Sequence, residues 1–207
     1  MTCSSLSIVS PLNSLSHSLP LPRCHSAAGV DVLFSNAALH WAPDIHASLF
    51  PHLLRQLRVG GVLAVQMPNN FSQPSHRCCI ETLQEGSYLS AEQLQSLLSK
   101  QPAVHADGAA YYYHLLRPHA RLVDVWQTEY MQTVSSPSEY HPVLEFTSST
   151  FLAPILAALP SEEARDDFKR RYSAKLDQAY PLFDDAKQAG KKFALFPFRR
   201  IFIIAVR

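Results

Sequence analysis

The sequence predicts an α/β fold: part of a doubly wound sheet of parallel strands, with a helical insertion before its last strand. Three observations predict it. Short apolar runs of strand length occur at Val30, Val32, Leu33 and Phe34, at residues 62–65, and again at residues 200–207. An amphipathic helical stretch separates the first two, and strand, helix, strand in that order is a right-handed crossover unit. Between residues 138 and 189 the spacing turns helical, with Phe168, Tyr172, Leu176 and Tyr180 recurring every four residues to define one apolar face.

Residues 1–29 stand apart from the rest. They are rich in Ser, Leu and Pro, hold no carboxylate, and have Arg23 as their sole Lys or Arg. This segment is expected to be a low-complexity, disordered leader or a mis-assigned start, because Pro11, Pro20 and Pro22 interrupt the amphipathic helix that an organelle address requires. Residues 30–207 form the C-terminal portion of one domain. The first strand closes at the polar pair Ser35-Asn36. Asp44 is placed to cap a helix whose apolar positions are Ile45, Leu49, Leu53, Leu54 and Leu57, with Pro51 predicting a kink or a fresh start. Gly60-Gly61 is expected to stop that helix before the second buried strand. Two helices follow residues 68–74, the second opening at Ser90 with Gln93 three residues on, the signature of a capping box. A third strand is expected at residues 121–130, and residues 138–189 are read as the helical insertion.

A chain of 207 residues suffices for one buried core. With 47% hydrophobic and 17% charged residues, the composition is that of a soluble globular protein. A formal net charge of +1 supplies no basic face for phosphates, so no nucleic-acid partner is expected and a small molecule is. No apolar run reaches the roughly 18 residues of a membrane span. Cys3, Cys24, Cys78 and Cys79 show neither zinc-site spacing nor disulfide density, which fits a reducing, cytoplasmic setting. The ten histidines include no His-Glu-x-x-His, so no metal is expected, and no Gly-x-Ser-x-Gly elbow points to a serine hydrolase. The chain is taken as a monomer.

Particular words in the sequence carry a resemblance. Val30-Asp31-Val32-Leu33-Phe34-Ser35-Asn36-Ala37-Ala38-Leu39-His40-Trp41-Ala42-Pro43-Asp44 is similar to the fourth-strand segment of small-molecule class I S-adenosylmethionine-dependent methyltransferases. Gly60-Gly61-Val62-Leu63-Ala64-Val65-Gln66-Met67-Pro68-Asn69-Asn70, followed by Pro74-Ser75-His76, narrows the resemblance to the trans-aconitate 2-methyltransferases. Tyr112-Tyr113, Val123-Asp124-Val125-Trp126 with Thr128 and Tyr130, Tyr180-Pro181-Leu182, and the closing Arg200-Ile201-Phe202-Ile203-Ile204-Ala205 occur in the family's order. There are departures. Residues 81–108 do not follow the pattern, His114 stands where an acidic residue is usual, and Phe151-Leu152-Ala153-Pro154 lacks the arginine of the family's Gly-Leu-Arg-Pro.

The resemblance implies a Rossmann-like methyltransferase sheet lacking its first strands, with S-adenosyl-L-methionine as cofactor and a methyl ester of a small carboxylic acid as product. In that fold the first strand feeds a glycine-rich turn and a carboxylate ending the second strand binds the ribose. The six glycines here include no Gly-x-Gly. The chain is therefore read as N-terminally truncated, with weak or no cofactor binding expected, and an inactive remnant or binding module stands as the alternative to an active enzyme. Because a carboxylate is already the nucleophile, the chemistry needs alignment rather than a general base. Neutral donors suit it, since a guanidinium on the reacting oxygen would drain its charge. The resemblance places Trp41 and His40 in the catalytic turn and Asn36 and Ser35 against the cofactor. It places Tyr112, Tyr113, Trp126, His76 and Arg200 around the substrate, each of which also reads as ordinary core or surface packing.

Overall fold

Among the described residues the strands and α-helices, in chain order, are β1 (Ser5–Ile8), β2 (Val30–Asn36), α1 (His46–Gln56), β3 (Leu57–Pro68), α2 (Pro74–Gly86), α3 (Ala91–Ser99), α4 (Ala109–Leu116), β4 (Leu122–Ser136), α5 (Pro142–Ser148), α6 (Ala153–Ala158), α7 (Glu162–Ala179), β5 (Leu182–Asp184) and β6 (Lys192–Val206). The computed structural model describes residues 5–8, 29–184, 188 and 191–207. The chain divides into two units: residues 1–69, 102–129 and 199–207 form the first, residues 70–101 and 130–198 the second.

In the first unit the strand order is β1-β2-β3-β6-β4. β1, β2 and β3 run parallel, and β6 is antiparallel to β3, so the sheet is mixed rather than all parallel. The expected crossover over β2, α1 and β3 is present. Most of the leader lies outside the described residues; its described residues, Ser5–Ile8, pair with Val32 to Ser35 of β2. In β2, β3 and β6 alternate residues turn to one face, where Leu33, Leu63, Val65, Met67, Ile201, Ile203 and Ala205 share a core with Phe50, Leu53 and Leu54 of α1 and Leu116 of α4. On the other face Phe34, Ala64, Phe202 and Ile204 keep partial exposure.

Three details differ from expectation. α1 begins at His46 behind the apolar N-cap Ile45, because Pro43 starts a separate 3-10 turn, Pro43–Ile45, that takes Asp44 into its interior. Pro51 sits within a continuous helix rather than restarting it. The helix ends at Gln56, with Leu57 already extended (φ −74°, ψ 150°), so the glycines do not stop it. Instead they shape an excursion: Val30 pairs with Leu57 but Val32 pairs with Val62, so residues 58–61 stand opposite Asp31 alone. Gly60 takes φ +78° there, and a Cβ on Gly61 would lie 2.9 Å from the Val30 carbonyl oxygen and 3.0 Å from that of Arg58. Arg207 closes the same corner, its guanidinium taking the Arg55 carbonyl at 2.7 Å and its amide the Gly61 carbonyl at 3.0 Å.

The second unit is built on the predicted stripe of α7: Phe168, Tyr172, Leu176 and Tyr180 are all buried, against Cys79 and Leu83 of α2 and Val143 and Leu144 of α5. Two of those tyrosines grip the start of α2, the Tyr172 hydroxyl donating to the Ser75 carbonyl at 2.9 Å and the Tyr180 hydroxyl accepting from the Ser75 amide at 3.1 Å. The capping box at α3 is present, with Ser90 and Gln93 exchanging both hydrogen bonds. The insertion is not wholly helical. Pro181 cannot continue α7, and Leu182–Asp184 leaves it as β5, antiparallel to the first residues of β6. β4 and β6 also run longer than their apolar runs alone predict.

The glycine excursion yields a stability prediction. Gly60→Ala, with only Arg58 Nη1 within reach at 3.8 Å, is expected to cost about 1 kcal/mol from its left-handed backbone. Gly61→Ala, which forces two backbone carbonyls apart, is expected to cost about 2–3 kcal/mol. Urea titrations of the two variants check the ranking, and equal losses would refute it.

Candidate active site

The carboxyl ends of β2 and β3 meet at one edge of the sheet, because Ser35 pairs with Val65 and Asn36 with Gln66. β6 runs the other way, so its residue Arg200, opposite Pro68, reaches the same edge. Chain exit from β2 is tight: Ala37 adopts φ +50°, a left-handed conformation costing a side-chain-bearing residue roughly 1–2 kcal/mol, and its amide donates to the Gln66 carbonyl at 2.9 Å. A 3-10 turn, Leu39–Trp41, follows.

That turn is anchored from below. His46 Nε2 lies 2.9 Å from the Leu39 carbonyl and His46 Nδ1 lies 2.9 Å from the Tyr112 hydroxyl. The carbonyl can only accept, so His46 carries its proton on Nε2 and the Tyr112 hydroxyl donates to Nδ1. The same hydroxyl accepts the His105 amide at 3.2 Å, and the Ala103 amide donates to the His40 carbonyl at 2.8 Å. Burial holds the His46 imidazole below its ordinary pKa and pushes the Tyr112 phenol up to about 12, so both stay neutral near pH 7.

The predicted residues fall into distinct settings. Ser35 is buried on the α1 face of the sheet, and its Oγ has no hydrogen-bond partner. Asn36, one residue on, turns to the opposite face and is exposed. His40 is 6% exposed with Nδ1 unpartnered. Burial, then electrostatic coupling to the neighbouring His46 and to the Arg200 guanidinium, push its pKa down to about 4. Trp41, half-buried, lies beside it with ring centroids 5.4 Å apart. Arg200 Nη1 donates to Gln66 Oε1 at 2.7 Å. These residues share the edge.

The aromatic wall is corrected in part. Tyr112 is 0% exposed and serves as the anchor beneath the turn, so it offers no surface to a substrate. Tyr113, its neighbour on α4, is exposed, its ring meeting His114 edge-on. Trp126 stacks flat on Phe202, 5.1 Å between centroids, on the less covered face of the sheet. His76 belongs to the second unit, stacked on Phe151 at 4.0 Å with Nδ1 3.3 Å from Ser75 Oγ, and burial pushes its pKa down to about 4. Gln66 and His46 received no role from sequence. Gln66 was visible as the one polar residue in an apolar strand run; nothing local marks His46, whose partners stand at Leu39 and Tyr112.

Desolvation of His40 sets a pH dependence. Its proton affinity is lower folded than unfolded, so the unfolded chain binds the extra proton between about pH 6.5 and about 4. Stability should therefore fall as pH drops through that window. His40→Gln, which cannot charge, is expected to reduce the loss by at most on the order of 3 kcal/mol. Urea midpoints of both proteins at pH 7.5 and pH 4.5 measure this, and parallel losses in the two would contradict it.

Comparison with known proteins bears on what the edge serves. No family model matches the chain. Trans-aconitate 2-methyltransferase of Azoarcus sp. (strain BH72) is 42% identical over 181 residues, 87% of this chain and 64% of that protein. The enzyme of the same name from Yersinia pseudotuberculosis serotype O:1b (strain IP 31758) is 38% identical over 183 residues, again 87% and 64%. Among solved structures, the YcgJ protein from Bacillus subtilis overlaps 92% of this chain and 67% of its own at 13% identity and a TM-score of 0.41, too loosely to argue from. Over 87% of its length this chain is similar to these two trans-aconitate 2-methyltransferases, and it spans 64% of the length of each.

Proposed function

We propose that the chain serves S-adenosylmethionine-dependent O-methylation, forming a methyl ester on a small carboxylic acid, with trans-aconitate the first candidate. The observation that carries this reading is the set of unpartnered polar atoms, Ser35 Oγ, His40 Nδ1 and Gln66 Nε2, buried at the carboxyl edge of two parallel strands. Open α/β sheets bind their ligands at that edge. A buried polar group left unsatisfied costs about 1–3 kcal/mol, and a polar ligand removes that cost. The relatives' name supplies the reaction.

S-adenosylmethionine brings an electrophilic methyl group on a sulfonium. Ser35 and Asn36 at the exit of β2 fit one side of such a ligand, offering a hydroxyl and an amide. Among the described glycines, Gly29, Gly60 and Gly61 lie at the amino-terminal ends of β2 and β3, so they do not cradle a nucleotide at this edge. The residues in hand serve the acceptor acid. Its attacking oxygen needs no base, since a small carboxylic acid is ionised near pH 7. Neutral His40 and Trp41 orient it without drawing off its charge, which a cation at that oxygen would do. The Arg200 guanidinium attracts the charge of the acid, and the His46–Tyr112 anchor keeps the turn from shifting. Alignment of this kind lowers a barrier by roughly 7–11 kcal/mol when geometry is good.

A second reading is favoured by the placement of the glycines: a chain that binds the acid without transferring a methyl group. One experiment separates the two. Purified chain incubated with methyl-labelled S-adenosylmethionine and a panel of small carboxylic acids is expected to give a base-labile ester, most from trans-aconitate. Trp41→Ala should lower turnover by on the order of a hundredfold while changing S-adenosylhomocysteine affinity far less. Acid binding by calorimetry without labelled ester would establish the second reading, and absence of binding by any acid would exclude both.

A further inference from the structure

We infer that His46 is a positioning residue of the proposed reaction, that it holds the turn Leu39–Trp41 in place only while its imidazole is neutral, and that this buried histidine, rather than a group touching the acceptor, sets the acid side of the pH–rate profile. This rests on the methyl-transfer reading above and deepens it by a regulation of the same site.

The turn depends on ties from outside it. It is three residues long, no side chain caps its start, and the left-handed Ala37 at its entry carries backbone strain. Its Leu39 carbonyl takes the His46 Nε2–H at 2.9 Å, and its His40 carbonyl takes the Ala103 amide at 2.8 Å. Behind His46 stands Tyr112, whose hydroxyl donates to Nδ1 at 2.9 Å and accepts the His105 amide at 3.2 Å. Three hydrogen bonds thus run in one direction, from the His105 amide through phenol and imidazole to the turn.

Protonation breaks that direction. An imidazolium donates from both nitrogens, so Nδ1 stops accepting. Nε2 keeps its bond to Leu39, but the Tyr112 hydroxyl, in a side chain 0% exposed, loses the acceptor that its proton has among the described residues. Phenol or imidazole must then swing away, and the strained turn loses its link to α4. The surroundings of His46 resist the charge: burial does so most, and His105, in the segment before α4, adds to it. The Leu39 carbonyl and Asp44, from the Pro43–Ile45 turn, pull the other way. His40 in the turn and Tyr112 on α4 are further titratable neighbours. The balance favours the neutral ring, so release falls on the acid side of the ordinary imidazole range, below about pH 6.5. A small carboxylic acid stays largely ionised down to about pH 5, and His40 takes its own proton only near pH 4, so neither accounts for a fall above pH 5.

The pH dependence of kcat between pH 7.5 and pH 5.0, with trans-aconitate and saturating S-adenosylmethionine, tests the assignment. Wild type is expected to lose at least about threefold over that range while its far-ultraviolet circular dichroism stays constant. His46→Gln keeps one donor and one acceptor but cannot charge; whatever its plateau, its turnover should hold level over the range. Tyr112→Phe removes the hydroxyl that favours the neutral ring, so its fall should begin at higher pH than in wild type; this variant decides if His46→Gln does not fold. A flat wild-type profile, a fall unchanged in His46→Gln, or one unmoved in Tyr112→Phe would overturn the role of His46 and leave the methyl-transfer reading standing. Absence of labelled ester from wild type would remove that reading instead. The hold of His46 on the turn is then read from the indole N–H resonance of Trp41: a shift between pH 7.5 and pH 5.0 in wild type but not in His46→Gln sustains it, and equal shifts or none overturn it.

Discussion

Parallel pairing of β2 with β3 is the constraint on which the rest depends. It brings the two strand ends to a common edge, in a register that sets Ser35 beside Val65 and Asn36 beside Gln66. A shift of one residue would exchange the faces of every side chain in the strand, sending Ser35 to the half-exposed side and Asn36 into the core. The register is held by apolar burial on one face and, at the other end of the strands, by the excursion at residues 58–61, which absorbs the extra length of β3. Gly61 matters there because the backbone of Val30 passes too close for a side chain.

The edge that results is unusual in its electrostatics. Its buried polar groups are neutral: a serine, two histidines held below their ordinary pKa by desolvation, and a carboxamide. One guanidinium stands among them, tied to that carboxamide. In the proposed reaction, coulombic attraction from Arg200 would gather an anion at the edge while neutral donors meet the atom that reacts. The division also explains why His40 stays uncharged, since imidazolium formation would have to overcome burial and the positive charge of Arg200 together.

The second unit obeys a different logic. Its core is a stripe of aromatic and aliphatic residues on α7, and its polar interior is tied to that stripe through tyrosine hydroxyls and His141, which lies 2.9 Å from the Tyr180 carbonyl and accepts the Val143 amide at 3.1 Å. Most of its buried polar groups meet a neighbour in this way, with Gln73 Nε2 and His76 Nε2 the exceptions among the described residues.

Much of this was legible in the chain itself. Apolar runs at β2 and β3, the α7 stripe and the capping box at Ser90 follow from side-chain period and local hydrogen bonding, which act over a few residues and so are written in consecutive letters. The Ser35 to Trp41 segment was legible as well, as a polar exit from a buried strand. What the letters could not decide were contacts between residues far apart in order. Tyr112 reads as a wall and is an anchor, because its hydroxyl finds His46, 66 positions away. Gln66 reads as one polar residue in a strand and is oriented by Arg200, 134 positions away. Antiparallel placement of β6, the hairpin partner β5 and the role of Gly61 likewise depend on which backbone comes alongside. Period and propensity are properties of neighbours in sequence; partnership of buried polar groups is a property of neighbours in space, and only folding brings those together.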